Sequence, residues 1–169
     1  MEAISVSEFD VGPLELTEPE LARYGRDIGR VALEGGVFVC LYGELGAGKS
    51  TLARAACRGA EVTGPVPSPT FTLVNQYEGR GGATVLHADL YRIETVEGLP
   101  DMGWESLVQS EDMVLVEWAD RADGCLPTDR WDIRLDFLAD STRRQVALRA
   151  RGRVPRLPEP RPAEEDPSC

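Results

Sequence analysis

Residues 37–51 read VFVCLYGELGAGKST: an apolar run that opens into a loop of glycine and alanine around a single lysine. Glycine in such a loop loses backbone entropy on folding, so some interaction has to offset it. The run before the loop has the texture of a strand buried on both faces. The stretch after it, KSTLARAACRGA (49–60), has helix-forming composition with a small-residue face.

Gly43, Gly48, Lys49 and Ser50 satisfy the Walker A spacing G-x-x-x-x-G-K-[ST]. In that pattern the loop residues Glu44, Leu45, Gly46, Ala47 and Gly48 turn successive N–H groups inward as an anion nest. The helix that follows adds its unpaired N–H groups and its positive dipole end. Lys49 is placed to reach the β- and γ-phosphates, the Ser50 hydroxyl to take one position on Mg²⁺, and Thr51 to face the α-phosphate. No N-K-x-D or T-K-x-D follows the last apolar strand, so ATP with Mg²⁺ is the expected ligand.

Bulk properties narrow the class. The chain has 169 residues, 42% of them hydrophobic, and a net charge of -11. That length suits one domain with a real core. No apolar run approaches the roughly 20 residues of a membrane span. The start, MEAISVSEFDVG, lacks a basic region leading an apolar one, so no secretory signal is expected. Cys40, Cys57, Cys125 and Cys169 show no CxxC spacing, and a lone histidine makes a zinc site a poor fit. Thiols in a reducing cytoplasm are the expectation. Proteins that grip nucleic acid directly carry basic patches, and no Lys/Arg cluster stands out along the body of this chain.

Residues 16–33 read as the first helix, with Thr17 at its cap, Pro19 in its first turn and Glu20 completing a T-x-x-E capping box. Residues 70–93 read as two strands around a glycine-rich turn at Gly79–Gly82. A short broken helix is expected over 95–110 and a second apolar strand over 112–118. Two alternating strands are expected over 130–150. The stretch 151–169, rich in proline and charge, is expected to be a disordered tail after a domain spanning 1–150. Interleaved helices and strands of the buried type predict a three-layer α/β domain with a mixed central sheet.

A phosphate loop needs a carboxylate near the metal, usually at the end of a neighbouring apolar strand. Glu117, ending MVLVE, is the Walker-B-like candidate, and Asp89, ending VLHAD, the candidate for the metal shell or water positioning. His87 should share the face of Asp89, as a packed or supporting group rather than a catalyst. Arg92 is open between pairing a carboxylate and neutralising phosphate. Prolines 65, 67 and 69 stiffen PSPTFT, which either aims Ser68 and Thr70 at the site or is simply a structural loop.

Taken in order and at these distances, GELGAGKST, SPTFTLVNQY, HADLYR and VEW closely resemble the TsaE (YjeE) family of small bacterial ATPases. The resemblance runs from about residue 15 to 150. It implies a P-loop NTPase-like fold with a mixed sheet. It also implies a role in threonylcarbamoyladenosine modification of tRNA next to the anticodon, exercised on the TsaD–TsaB complex, which alone would hold the tRNA. Carried over by position, Lys49 and Ser50 serve phosphate and Mg²⁺, and Asp89 and Glu117 serve metal and attacking water. Thr70 falls in a switch-like loop, Trp118 is a functional surface residue, and Arg144 lies near the nucleotide. Competing expectations are a metabolite kinase, although RADGCLPTDR (121–130) is short for an arginine lid, and a non-catalytic ATP switch.

Overall fold

The computed structural model describes residues 10–110, 113–139 and 142–161. Its centre is a seven-stranded sheet ordered β1-β7-β6-β2-β5-β4-β3. The strands are β1 (Asp10–Thr17), β2 (Val37–Tyr42), β3 (Val74–Glu78), β4 (Thr84–Asp89), β5 (Met113–Glu117), β6 (Arg130–Phe137) and β7 (Arg143–Arg151). β2 runs parallel to β5 and β6, and β4 parallel to β5. The outer pairs β1/β7, β6/β7 and β3/β4 are antiparallel. The sheet is therefore mixed, as the alternation of buried runs and hairpins requires.

Side-chain alternation divides the core in two. On one face Val37, Val39, Leu41, Leu115, Ile133 and Val146 meet helices α1 (Glu18–Ala32) and α2 (Lys49–Gly59). On the other, Phe38, Cys40, Val114 and Val116 meet α3 (Trp104–Val108) and short 3-10 turns at 96–98, 100–102 and 119–122. Three layers result. The Thr17 amide donates to Glu20 Oε2 at 2.7 Å, so the capping box forms as its spacing predicts. A Cβ on Gly29 would stand 2.0 Å from the Ala56 carbonyl oxygen, so α1 and α2 touch backbone to backbone. The small-residue face of α2 exists for that approach.

Three expectations change. Residues 10–17 form the edge strand β1, so the first helix starts at Glu18 instead of residue 16; the strand is unforeseen because Gly12 and Pro13 interrupt its alternation and the register slips between Val11 and Leu14. Edge strands tolerate proline. Secondly, the arginines scattered through 130–151 do converge. Arg130, Arg134, Arg149 and Arg151 share the sheet face opposite α1 and α2, where Asp132 accepts from Arg130 at 2.9 Å and Arg151 at 3.0 Å. Pairing of β6 with β7 brings together residues that look isolated along the chain.

Thirdly, the segment expected to be disordered from 151 is ordered through 161. Val154 and Leu157 are buried in the main core, and the Trp131 indole donates to the Pro155 carbonyl at 2.9 Å. Arg23 donates to the Arg161 carbonyl. Prolines have no N–H to satisfy, so two well-placed apolar side chains suffice to lay this stretch on the domain. The remainder of the expected tail, 162–169, lies outside the described residues.

Candidate nucleotide site

The loop between β2 and α2 forms at the carboxyl ends of the parallel strands, where open α/β sheets place their ligands. A Cβ on Gly43 would lie 2.2 Å from the Leu135 carbonyl oxygen, so only glycine lets the chain leave β2 so close to β6. Gly48 caps α2 at φ +109°, a left-handed conformation that side chains rarely adopt. The first-turn amides of α2, beginning at Lys49, have no acceptor within the helix, and Lys49, Ser50 and Thr51 line the cleft.

Strand periodicity supplies the acids. Residues 113, 115 and 117 of β5 alternate to the helix face, as do 85, 87 and 89 of β4. Register pairs Asp89 with Glu117 at the two strand ends. Both side chains are buried, at 3% and 2% exposure, so each carboxylate has to find hydrogen-bond partners within the fold.

Ser50 Oγ donates to Glu117 Oε2 at 2.7 Å, and His87 Nε2 lies 2.8 Å from Glu117 Oε1. Asp89 Oδ2 accepts from Thr70 at 2.8 Å and Ser68 at 3.2 Å, while its Oδ1 accepts from the Tyr91 amide at 2.9 Å. Ser68 and Thr70, on the segment that carries prolines 65, 67 and 69, therefore share one acid as hydrogen-bond acceptor. Residues 70–73 make a turn instead of the strand expected there, closed by the Leu73 amide on the Pro69 carbonyl at 2.7 Å.

Lys49 is buried. Its ammonium donates to the carbonyls of Gly43 at 2.5 Å and Glu44 at 2.8 Å, and the Trp118 ring centre lies 3.8 Å away. Burial pulls its pKa below the usual lysine value, against the opposing pull of Glu117, Asp89 and Asp120. Trp118 leaves β5 in the left-handed region, φ +57°, and its ring packs on Tyr91 at 5.1 Å.

Of the residues singled out from the sequence, most line one cleft of about 350 Å³: Leu45, Gly46, Gly48, Lys49, Ser50, Thr51, Ser68, Thr70, Asp89, Glu117 and Trp118. Arg144 lies apart from the acids. It borders a smaller recess of about 180 Å³ beside Gly46, Ala47, Gly48 and Thr51, its guanidinium 4.7 Å from the Phe137 ring centre. Glu44 contributes its carbonyl to Lys49. His87 is fully buried behind Glu117. Arg92 stacks over Phe71 at 4.4 Å. Tyr91 and Arg54, unassigned from sequence, also line the cleft. For Arg54 the signal was its place one helical turn beyond Ser50.

A hydroxyl and a carboxylate oxygen form a hard donor pair of the kind magnesium takes. Among the described residues no group of three or more His, Cys, Asp or Glu is placed to hold an ion by itself. Magnesium typically uses one or two protein oxygens and completes its shell with phosphate and water, so Ser50 and Glu117 fit that ion.

Residues 16–146 match the family model of the threonylcarbamoyl adenosine biosynthesis protein TsaE. The chain is 34% identical over 128 residues to the Haemophilus influenzae tRNA threonylcarbamoyladenosine biosynthesis protein TsaE, covering 73% of this chain and 80% of that one. It is 36% identical to the Treponema pallidum protein of the same name, over 73% of this chain and 90% of the relative. Its fold is similar to the crystal structure of Bacillus subtilis YdiB, with a TM-score of 0.64 and 26% identity over 86% of this chain and 90% of that one. A phosphate loop on a mixed sheet, with a match over most of its length, places this chain in the TsaE family of tRNA threonylcarbamoyladenosine biosynthesis proteins.

Proposed function

We propose that this chain is a Mg²⁺-dependent ATPase that serves threonylcarbamoyladenosine formation on tRNA by acting on the TsaD–TsaB complex in the cytoplasm. The observation that carries the reading is the meeting of Lys49, Ser50 and Glu117 at the first turn of α2. Magnesium, which Ser50 and Glu117 would hold, would supply neutralisation of phosphate charge. The loop amides and the first turn of α2 hold the phosphates. Lys49 exchanges the Gly43 and Glu44 carbonyls for phosphate oxygens, a charge-assisted gain. Glu117 and Asp89 are the acids available to orient an attacking water. With net charge -11, the chain suits a protein that leaves the tRNA to its partners.

ATP turnover measured with and without TsaD–TsaB tests this directly. Slow turnover alone, rising sharply with the complex and lost in Lys49→Ala and Glu117→Ala, is the expected result. An unchanged rate on adding the complex overturns partner activation. A phosphorylated metabolite formed without free phosphate would make the chain a kinase. Pathway function preserved in a Glu117→Ala variant that cannot hydrolyse ATP would make it a switch.

A further inference from the structure

His87 touches neither the cleft nor solvent. It sits on β4 between Leu115 of β5 and Asn75 of β3, with 0% of its surface exposed. Its Nε2 lies 2.8 Å from Glu117 Oε1, while Glu117 Oε2 accepts from Ser50. Its Nδ1 is buried with no hydrogen-bond partner among the described residues.

This asymmetry decides the tautomer. An ionised carboxylate only accepts hydrogen bonds, so the ring proton belongs on Nε2. A proton on Nδ1 would be a buried donor with no acceptor, a costly arrangement. The imidazole therefore presents one N–H, aimed at one oxygen of Glu117.

A carboxylate tethered at one oxygen has its other oxygen directed. Glu117 ends a strand, and its side chain has rotamers that would turn Oε2 away from α2. We propose that His87 is a positioning residue that holds the Glu117 carboxylate with Oε2 facing the Ser50 hydroxyl, so that the oxygen pair facing magnesium is set before nucleotide arrives. This rests on reading the site as one for Mg·ATP. Outer partners of metal ligands act in this way, and removing them typically costs about 10–100-fold in metal affinity.

The test reads binding instead of turnover. ADP affinity is measured by calorimetry in chelator and across a magnesium series. His87→Leu is expected to raise the magnesium needed for half-saturation by about 10–100-fold while leaving magnesium-free ADP affinity unchanged. His87→Gln, whose amide nitrogen reaches the Nε2 position, is expected to restore most of the loss. In a Glu117→Ala background His87→Leu should add nothing. Wild-type magnesium dependence in a folded His87→Leu protein overturns the proposal, and so does failure of a folded His87→Gln protein to recover.

If His87→Leu does not fold, the intact protein still decides. The chain has one histidine, so its ring nitrogens can be read by ¹⁵N NMR without assignment ambiguity. The expected spectrum shows protonated Nε2 and bare Nδ1, with the Nε2–H signal moved in Glu117→Ala. An Nδ1–H tautomer overturns the proposal on its own. Should wild type show no magnesium dependence of ADP binding, the Mg·ATP reading fails instead, and the NMR result remains separate.

Discussion

The ammonium group of Lys49 lies 3.8 Å from the centre of the Trp118 ring while donating to the Gly43 and Glu44 carbonyls of its own loop. The cation is thus held by the loop and capped by an indole that leaves β5 in a left-handed conformation. A lysine that is to hold phosphate has to exchange these partners.

That exchange predicts an optical signal. Trp104 and Trp131 are buried, with their indole N–H groups bonded to the Cys125 and Pro155 carbonyls, each at 2.9 Å. Adding ADP should therefore change tryptophan emission through Trp118 alone, and Trp118→Phe should abolish the change. Lys49→Met should shift the emission without nucleotide. The cation–π contact is worth about 0.5–2 kcal/mol, so Trp118→Phe should alter nucleotide affinity by no more than about 30-fold. A spectrum unmoved by saturating ADP would mean that Lys49 keeps its place.

Asp89 is the anchor of the segment 68–73. Thr70, Ser68 and the Tyr91 amide all donate to its carboxylate, and the Asp89 amide donates to the Leu73 carbonyl at 2.9 Å. Asp89→Asn removes the charge and replaces one acceptor oxygen with a donor, leaving the partly buried Ser68 and Thr70 hydroxyls poorly paired. The expected loss is about 1–3 kcal/mol in urea unfolding. Hydrogen exchange should speed up at Leu73, while α1 keeps its protection. Unchanged exchange at Leu73 would show that the turn holds without its acid.

The buried thiols predict a pH limit. Burial, helped by Asp132, pushes Cys40 up to about 12, and burial pushes Cys57 up to about 12 against the opposing pull of Arg58. The folded chain keeps these protons more tightly than the unfolded chain does. Their contribution is therefore complete below the ordinary thiol range near 9 and is lost as pH climbs toward 12. Stability should fall through that window at up to about 1.4 kcal/mol per pH unit for each thiol. Cys40→Ala combined with Cys57→Ala should flatten the fall, as read by urea midpoints. At neutral pH exposed Cys125 should react with a thiol reagent well before either buried cysteine.

Legibility in the sequence tracked the range of the interaction. The phosphate loop, the capping box at Thr17 and Glu20, and the buried runs of β2 and β5 are encoded by neighbours within one turn or one strand. The pairing of Glu117 with Asp89 was half-legible, because two apolar strands ending in acids could be read but their adjacency could not. β1 was hidden because a proline and a register slip erase its period. Arg92 escaped because its partner Phe71 lies across a turn with no periodic signature.

By itself the sequence determined the loop, its lysine and hydroxyl, and the alternation that sends His87, Asp89 and Glu117 to the helix face, since spacing along a strand is a local property. Only the tertiary structure decided what those groups touch. It put Ser50 and His87 on opposite oxygens of one carboxylate, Trp118 over Lys49, and Val154 and Leu157 against the core. Such contacts join residues far apart in the chain, and their geometry is set by sheet register and helix packing, which no local window of sequence contains.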